Sequence, residues 1–282
     1  MRPLSSRADR FLFAQEASLA RLAAIRASLG LVILMMVVLG PFDRFFGEMG
    51  PLLYAPRGLL AFTPVLDPET YWSLRVLVAA SALSTSLGLA TRVSTVALAL
   101  SFLVLNYYTA QFTGISWNYD THLNFFAIAL CAGRSGARGS LDDLLGWTRP
   151  ASARDVQQAS FLLAFMQLYV ALLYFQAGVS KLVASGLVWL TSGVTPYRFT
   201  ITSGAELGRY LTQWPWIFQV FTALGGLFEL AFLPLMLWRR SCRAVALAAM
   251  AFHLGMYLVM GISFWHLWVL YPALFMYRPR GA

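Results

Sequence analysis

The sequence predicts an all-α integral membrane protein, a polytopic bundle of about eight transmembrane helices with both termini in the cytoplasm. Three observations predict it. The 282 residues are 59% hydrophobic and only 12% charged, with a mean hydropathy of +0.65. A soluble domain is about 45–50% apolar and about a quarter charged. The apolar residues gather into runs, and about 17–25 of them cross a hydrocarbon core of about 30 Å as a helix. The basic residues fall unevenly on alternate connecting segments, which sets an orientation. No stretch alternates strictly between apolar and polar residues, so a membrane β-barrel is not expected.

The first expected span is 22–40. A basic stretch precedes it, as in a signal peptide, but Val38-Leu39-Gly40-Pro41-Phe42 is not a small-residue cleavage site. It reads as a retained helix. Residues 41–71 then carry Pro41, Gly47, Pro51, Pro56, Pro64 and Pro68, which is loop chemistry. Spans 72–90, 94–113 and 120–133 follow, then a loop at 134–157 where Arg and Asp mix as in a solvated segment. Span 158–183 leads to a second long outside loop, 184–214, whose Trp189, Tyr197 and Trp214 suit a membrane interface. Spans 215–238, 244–261 and 263–277 complete the bundle. The fourth and eighth are the shortest. The organisation is therefore a cytoplasmic basic segment at 1–21, a transmembrane domain at 22–277 and a cytoplasmic tail at 278–282.

With the N-terminus inside, 15 of the 21 basic residues lie on inside segments and six on outside segments or span ends. An even number of spans puts both ends on one side, in agreement. The net charge of +9 and pI of 9.9 thus follow from short loops, and the expected partner is the lipid bilayer of the cell inner (plasma) membrane, not nucleic acid. Cys131 and Cys242 form no C-x-x-C pair. They show no metal-ligand spacing with His122, His253 or His266, so a thiol redox enzyme or a zinc site is not expected.

Ionisable residues at membrane depth mark candidate sites. In the hairpin of the sixth and seventh spans, Glu229 lies 12 residues before Ser241 and His253 lies 12 after it. At about 1.5 Å per residue both sit about 18 Å from the turn. Equal depth permits a Glu229–His253 contact, with Tyr257 one turn beyond. Such a contact either ties two helices together or handles substrate and protons. In the fifth span Gln167, Tyr174 and Lys181 recur every seven residues, which keeps them on one face. Gly178, one turn before Lys181, allows a neighbour or ligand to approach closely. Lys181 is the only lysine among 20 arginines. It either snorkels to the outer interface or serves as a titratable amine, because lysine gives up its proton when desolvated and arginine does not. At the start of the fourth span, Asp120 and Asn124 share a helix face, with His122 between them. Asp120 is either an interfacial cap or part of the site.

The stretch from Gln167 to Leu182, with Tyr174-Phe175, Ala177-Gly178-Val179 and Lys181-Leu182 followed by Trp189, resembles the core motif of the vitamin K-dependent gamma-glutamyl carboxylase. Gly226-Leu227-Phe228-Glu229-Leu230 and Phe252-His253 are similar to the helices that follow it. The broader group is the HTTM (horizontally transferred transmembrane) domain family, whose pattern Gly88-Leu89-Ala90-Thr91-Arg92 also fits. The resemblance runs from about Ile25 to Tyr277. It implies that Lys181 is the base that deprotonates a reduced vitamin K-like lipid. Where the carboxylase has a functional histidine, Asp120 aligns and His122 lies two residues on. The carboxylase's large lumenal domain for its protein substrate has no counterpart in these residues, so the expectation is chemistry on a lipid quinol.

The resemblance and the polar positions together give an expected site. Lys181, His253 and Glu229 are its catalytic candidates. Tyr174, Gln167, Gly178, Asp120, His122 and Tyr257 are its substrate-binding candidates. The expected ligand is a quinol or vitamin K-like lipid and no metal. The competing expectation is a non-catalytic helper subunit or transporter that works with a partner membrane or secreted protein. A transporter should carry inverted repeats or broken helices, and the sequence shows no clear repeat.

Overall fold

The computed structural model describes residues 7–15, 17–40, 54–55, 64–113, 118–237 and 242–275. Most of the 41–71 loop, the turn through Arg239, Arg240 and Ser241, and both tails lie outside the described residues. Among the described residues the protein is helical, with no strand. Five helices are long and apolar enough to cross a membrane: α2 (Ser18–Leu39), α4 (Thr91–Thr113), α7 (Ala153–Ser192), α10 (Pro215–Leu237) and α11 (Cys242–Met260). The second expected span falls on α3 (Pro68–Leu87), where Ser81, Ser84, Thr85 and Ser86 dilute the apolar run. The fourth falls on the 14-residue α5 (Asn118–Cys131).

The eighth expected span is not one helix. Residues 263–277 hold two short pieces, α12 (Trp265–Trp268) and α13 (Tyr271–Phe275). Pro272 has no amide hydrogen and fits best in a first turn, which is where it stands in α13. The 184–214 segment is not an open loop either. It forms α8 (Val194–Ser203) and α9 (Glu206–Leu211). Pro196 sits in the first turn of α8, after Gly193 in the left-handed conformation.

The described residues divide into two compact units, one within 1–164 and one within 165–277. In the first, α2 packs on α3 and α5, α3 on α4, and α4 on α5. Leu22, Ile25, Leu29, Ile33 and Met36 recur at helical spacing along α2, and all are buried. Gly30 sets the α2–α3 crossing. A Cβ there would stand 2.6 Å from both Ala82 O and Ser86 N, so only glycine lets the backbones meet. Asp67 caps α3 by accepting from Thr70 N at 2.9 Å, with Pro68 in the first turn.

The α3–α4 corner explains the Gly88–Arg92 motif. Gly88 is left-handed (φ 71°), and a Cβ there would stand 1.7 Å from Arg26 Nη1. Arg26 of α2 is 1% exposed and donates to Thr85 O at 3.2 Å and Gly139 O at 2.8 Å. Asp142, in α6 (Leu141–Leu144), accepts from the Ala90 and Thr91 amides and the Thr91 hydroxyl, each at 2.7 Å. The 134–157 segment is therefore built into the unit, not merely solvated. Ser135, Ser140, Asp142 and Asp155 are all buried within it.

The second unit contains α7 from Phe165 onward and α8 to α13. At about 1.5 Å per residue, an unbroken helix of the 40 residues assigned to α7 would run about 60 Å, twice a hydrocarbon core. It is not continuous: Gly186 (φ 59°, ψ −152°) interrupts it. Left-handed Gly261 (φ 72°) follows the end of α11.

Candidate functional site

The Gln167, Tyr174 and Lys181 stripe on α7 makes a polar bond to another element at each of its three steps. Gln167 Nε2 donates to Leu274 O on α13 at 2.5 Å. The Tyr174 hydroxyl bonds His253 Nε2 of α11 at 2.5 Å and the Tyr271 hydroxyl of α13 at 2.8 Å. Its ring stacks on Phe232, with centroids 4.2 Å apart and planes 9° from parallel. Lys181 Nζ donates to Glu229 Oε1 of α10 at 2.5 Å.

Lys181 is held from a second side. Its ammonium lies 4.5 Å from the centre of the Trp189 ring, within the range of a cation–π attraction. Its side chain is 34% exposed, whereas that of Glu229 is 7% exposed. Gly178 brings α7 and α10 together beside the pair. A Cβ at Gly178 would stand 3.1 Å from Glu229 Cβ and 3.0 Å from Leu230 Cγ. The glycine thus admits a neighbouring helix.

The contact between Glu229 and His253 drawn from equal depth does not form. Glu229 turns to Lys181 and His253 turns to Tyr174. Depth fixes height along a helix but not the direction a side chain faces. Each partner keeps one buried polar atom free. Glu229 Oε2 and His253 Nδ1 have no hydrogen-bond partner among the described residues.

Lys181 and Glu229 line a cavity of about 370 Å³ whose other walls are mostly apolar, including Phe199, Phe221, Phe252, Met256 and Val259. Tyr174, His253, Gln167 and Tyr257 are not in its lining. Tyr257 is 48% exposed. Asp120 and His122 belong to the other unit, on α5. The Asp120 side chain lies outside the described residues, and His122 is half-buried. The sequence reading missed Trp189 as a partner of the amine and Tyr271 as a partner of Tyr174. The tryptophan that follows the lysine motif was the available signal for the first. Nothing marked the second.

These helices and their buried polar positions define a multi-pass integral membrane protein with a charged pair at the edge of an apolar cavity. Residues 15–279 match the HTTM domain, and the chain belongs to the HTTM family. No curated protein and no solved structure matches it.

Proposed function

We propose that this HTTM protein is a membrane enzyme that takes a lipid-soluble hydroxylic substrate, in the first instance a quinol, into the apolar cavity. The observation that carries the reading is the Lys181–Glu229 pair in the lining of that cavity. An apolar ligand fills such a space with a few polar groups to orient it. A quinol hydroxyl beside Lys181 is acidified by the adjacent charge. The pair holds one proton between amine and carboxylate at rest. It accepts a second from the substrate hydroxyl, giving an ammonium, a carboxylic acid and the substrate's conjugate anion. Lys181 passes the resting proton to Glu229 across their hydrogen bond, and the amine so freed takes the proton of the substrate hydroxyl. In this reading Tyr174, His253 and Gln167 hold the helices that carry the pair. The protein lies in the cell inner membrane with both termini cytoplasmic, so reporters fused at Arg240 and Gly204 should report inside and outside.

Lys181→Arg tests the reading. Arginine keeps the charge and its bond to Glu229 but does not give up a proton. The full chain in lipid nanodiscs, given a short-chain naphthoquinol, should quench tryptophan fluorescence on binding and consume oxygen, as the anion passes two electrons to dissolved O2 and leaves quinone and hydrogen peroxide. The variant should keep the quench and lose oxygen uptake. Equal oxygen uptake by the variant would end the catalytic assignment. One observation favours a helper-subunit reading instead: the same pair ties α7 to α10. That reading expects Lys181→Arg to change nothing.

A further inference from the structure

The first unit contains its own cavity, of about 1170 Å³, and its chemistry is independent of the Lys181 reading. It lies where α4 begins, α5 ends and α7 begins, bordered by the segment between α5 and α7. Arg92, Arg134, Arg149 and Arg154 line it, with Asp142 and Asp155. Both carboxylates are already used. Asp142 is taken up by the Ala90 and Thr91 donors. Asp155 accepts from Arg134 at 2.8 Å, from Arg149 at 3.3 Å, and from the amide and hydroxyl of Ser152. The guanidiniums of Arg92 and Arg154, both exposed, have no hydrogen-bond or ion-pair partner among the described residues.

A second, separate observation points to a ligand. Ser135 also lines the cavity and is 2% exposed, yet its hydroxyl has no hydrogen-bond partner among the described residues. A buried hydroxyl left unpaired is costly unless something reaches it. Beside these donors stands an apolar wall, Phe13 stacked on Phe161 with centroids 6.0 Å apart.

Two unpaired guanidiniums and an unpaired hydroxyl form a donor set without an acceptor. Guanidinium forks match the oxygens of a phosphate. We propose that this cavity binds a phosphate-bearing anion at the membrane boundary. Its source is either the headgroup of an anionic phospholipid, with an acyl chain along Phe13 and Phe161, or a soluble phosphate compound.

The test uses the detergent-purified full chain. Retention of dioleoyl phosphatidylglycerol and of dioleoyl phosphatidylcholine is measured by native mass spectrometry, and binding of inorganic phosphate by calorimetry. The wild type should prefer phosphatidylglycerol by about tenfold, and Arg92→Gln with Arg154→Gln should weaken binding about fivefold per arginine. Arg138→Gln, at an exposed position that does not line the cavity, should leave it unchanged. Ser135→Ala removes a hydroxyl that has no partner to lose, so it should fold, and it should bind about fivefold more weakly. Lipid preference that responds in this way identifies a headgroup. Phosphate heat that responds in this way, without lipid preference, identifies a soluble ligand. The proposal is overturned by no binding of either probe, by Ser135→Ala binding as wild type does, or by Arg138→Gln weakening binding as much as the cavity variants.

Discussion

Lys181 and Glu229 face each other across α7 and α10 at 2.5 Å, one partly exposed and the other almost wholly buried. The asymmetry makes their removal unequal. Lys181→Met strands a buried carboxylate, and breaking a buried pair from one side costs about 3–5 kcal/mol. Glu229→Leu strands an ammonium that still has Trp189 and an outlet from the protein. Thermal unfolding of the purified variants should rank Lys181→Met as the more damaging single change. The double variant should lie above it. Equal losses in both single variants would show that the pair is not desolvated.

Tyr174→Phe keeps the ring on Phe232 and removes the hydroxyl that joins α7 to α11 and α13. His253 and Tyr271 are then left with unmet polar atoms, at a cost of about 1–3 kcal/mol. The melting temperature in detergent should fall clearly. An unchanged value would mean that water or another side chain replaces the hydroxyl.

Gly88→Ala should be among the most damaging small changes in the first unit. The left-handed backbone costs a non-glycine residue about 1–2 kcal/mol. The new methyl group also occupies the place of the Arg26 guanidinium. Loss of monodisperse protein on size exclusion is the expected result, whereas Gly139→Ala, whose Cβ meets nothing within 4 Å, should be milder. The comparison separates steric conflict from backbone strain, because both glycines have positive φ.

Asp142 links stability to acid. Burial alone would push its pKa up. The amide and hydroxyl of Thr91, the amide of Ala90 and the charge of Arg26 outweigh that, and hold its pKa below the ordinary 3.8. A group depressed on folding stabilises fully above its unfolded value, and that contribution fades as pH falls through the folded one. Melting temperature should therefore decline below about pH 4. Asp142→Asn should be less stable at neutral pH and should lose part of that acid decline. A variant curve parallel to the wild-type curve would assign the decline to other carboxylates.

Much of this was written in the order of residues, and some was not. The long apolar runs announced α2, α4, α7, α10 and α11, because lipid demands length and hydrophobicity together. The seven-residue spacing announced the polar face of α7, because such a repeat stays on one side of a helix. The partner of Glu229 stayed hidden, since equal depth says nothing about facing. Arg26 read as one more basic residue near the inside surface. It is in fact fully buried, and its partners are the carbonyls of Thr85 and Gly139. Backbone carbonyls exist at every position and leave no mark in a sequence. The break between Trp268 and Tyr271 was missed because its proline sits inside an otherwise apolar run.

On an unbroken helix Lys181 and Trp189 would stand about 12 Å apart along the axis. They touch because the chain turns at Gly186, in a backbone region essentially closed to every residue with a side chain. A Cβ at Gly186 would meet nothing within 4 Å, so crowding plays no part. The surroundings of the amine are thus dictated, five positions away, by a residue that contributes no atom to them. A scan that replaces side chains by alanine would report Gly186 as a loss of the lysine's environment, although no contact had been removed.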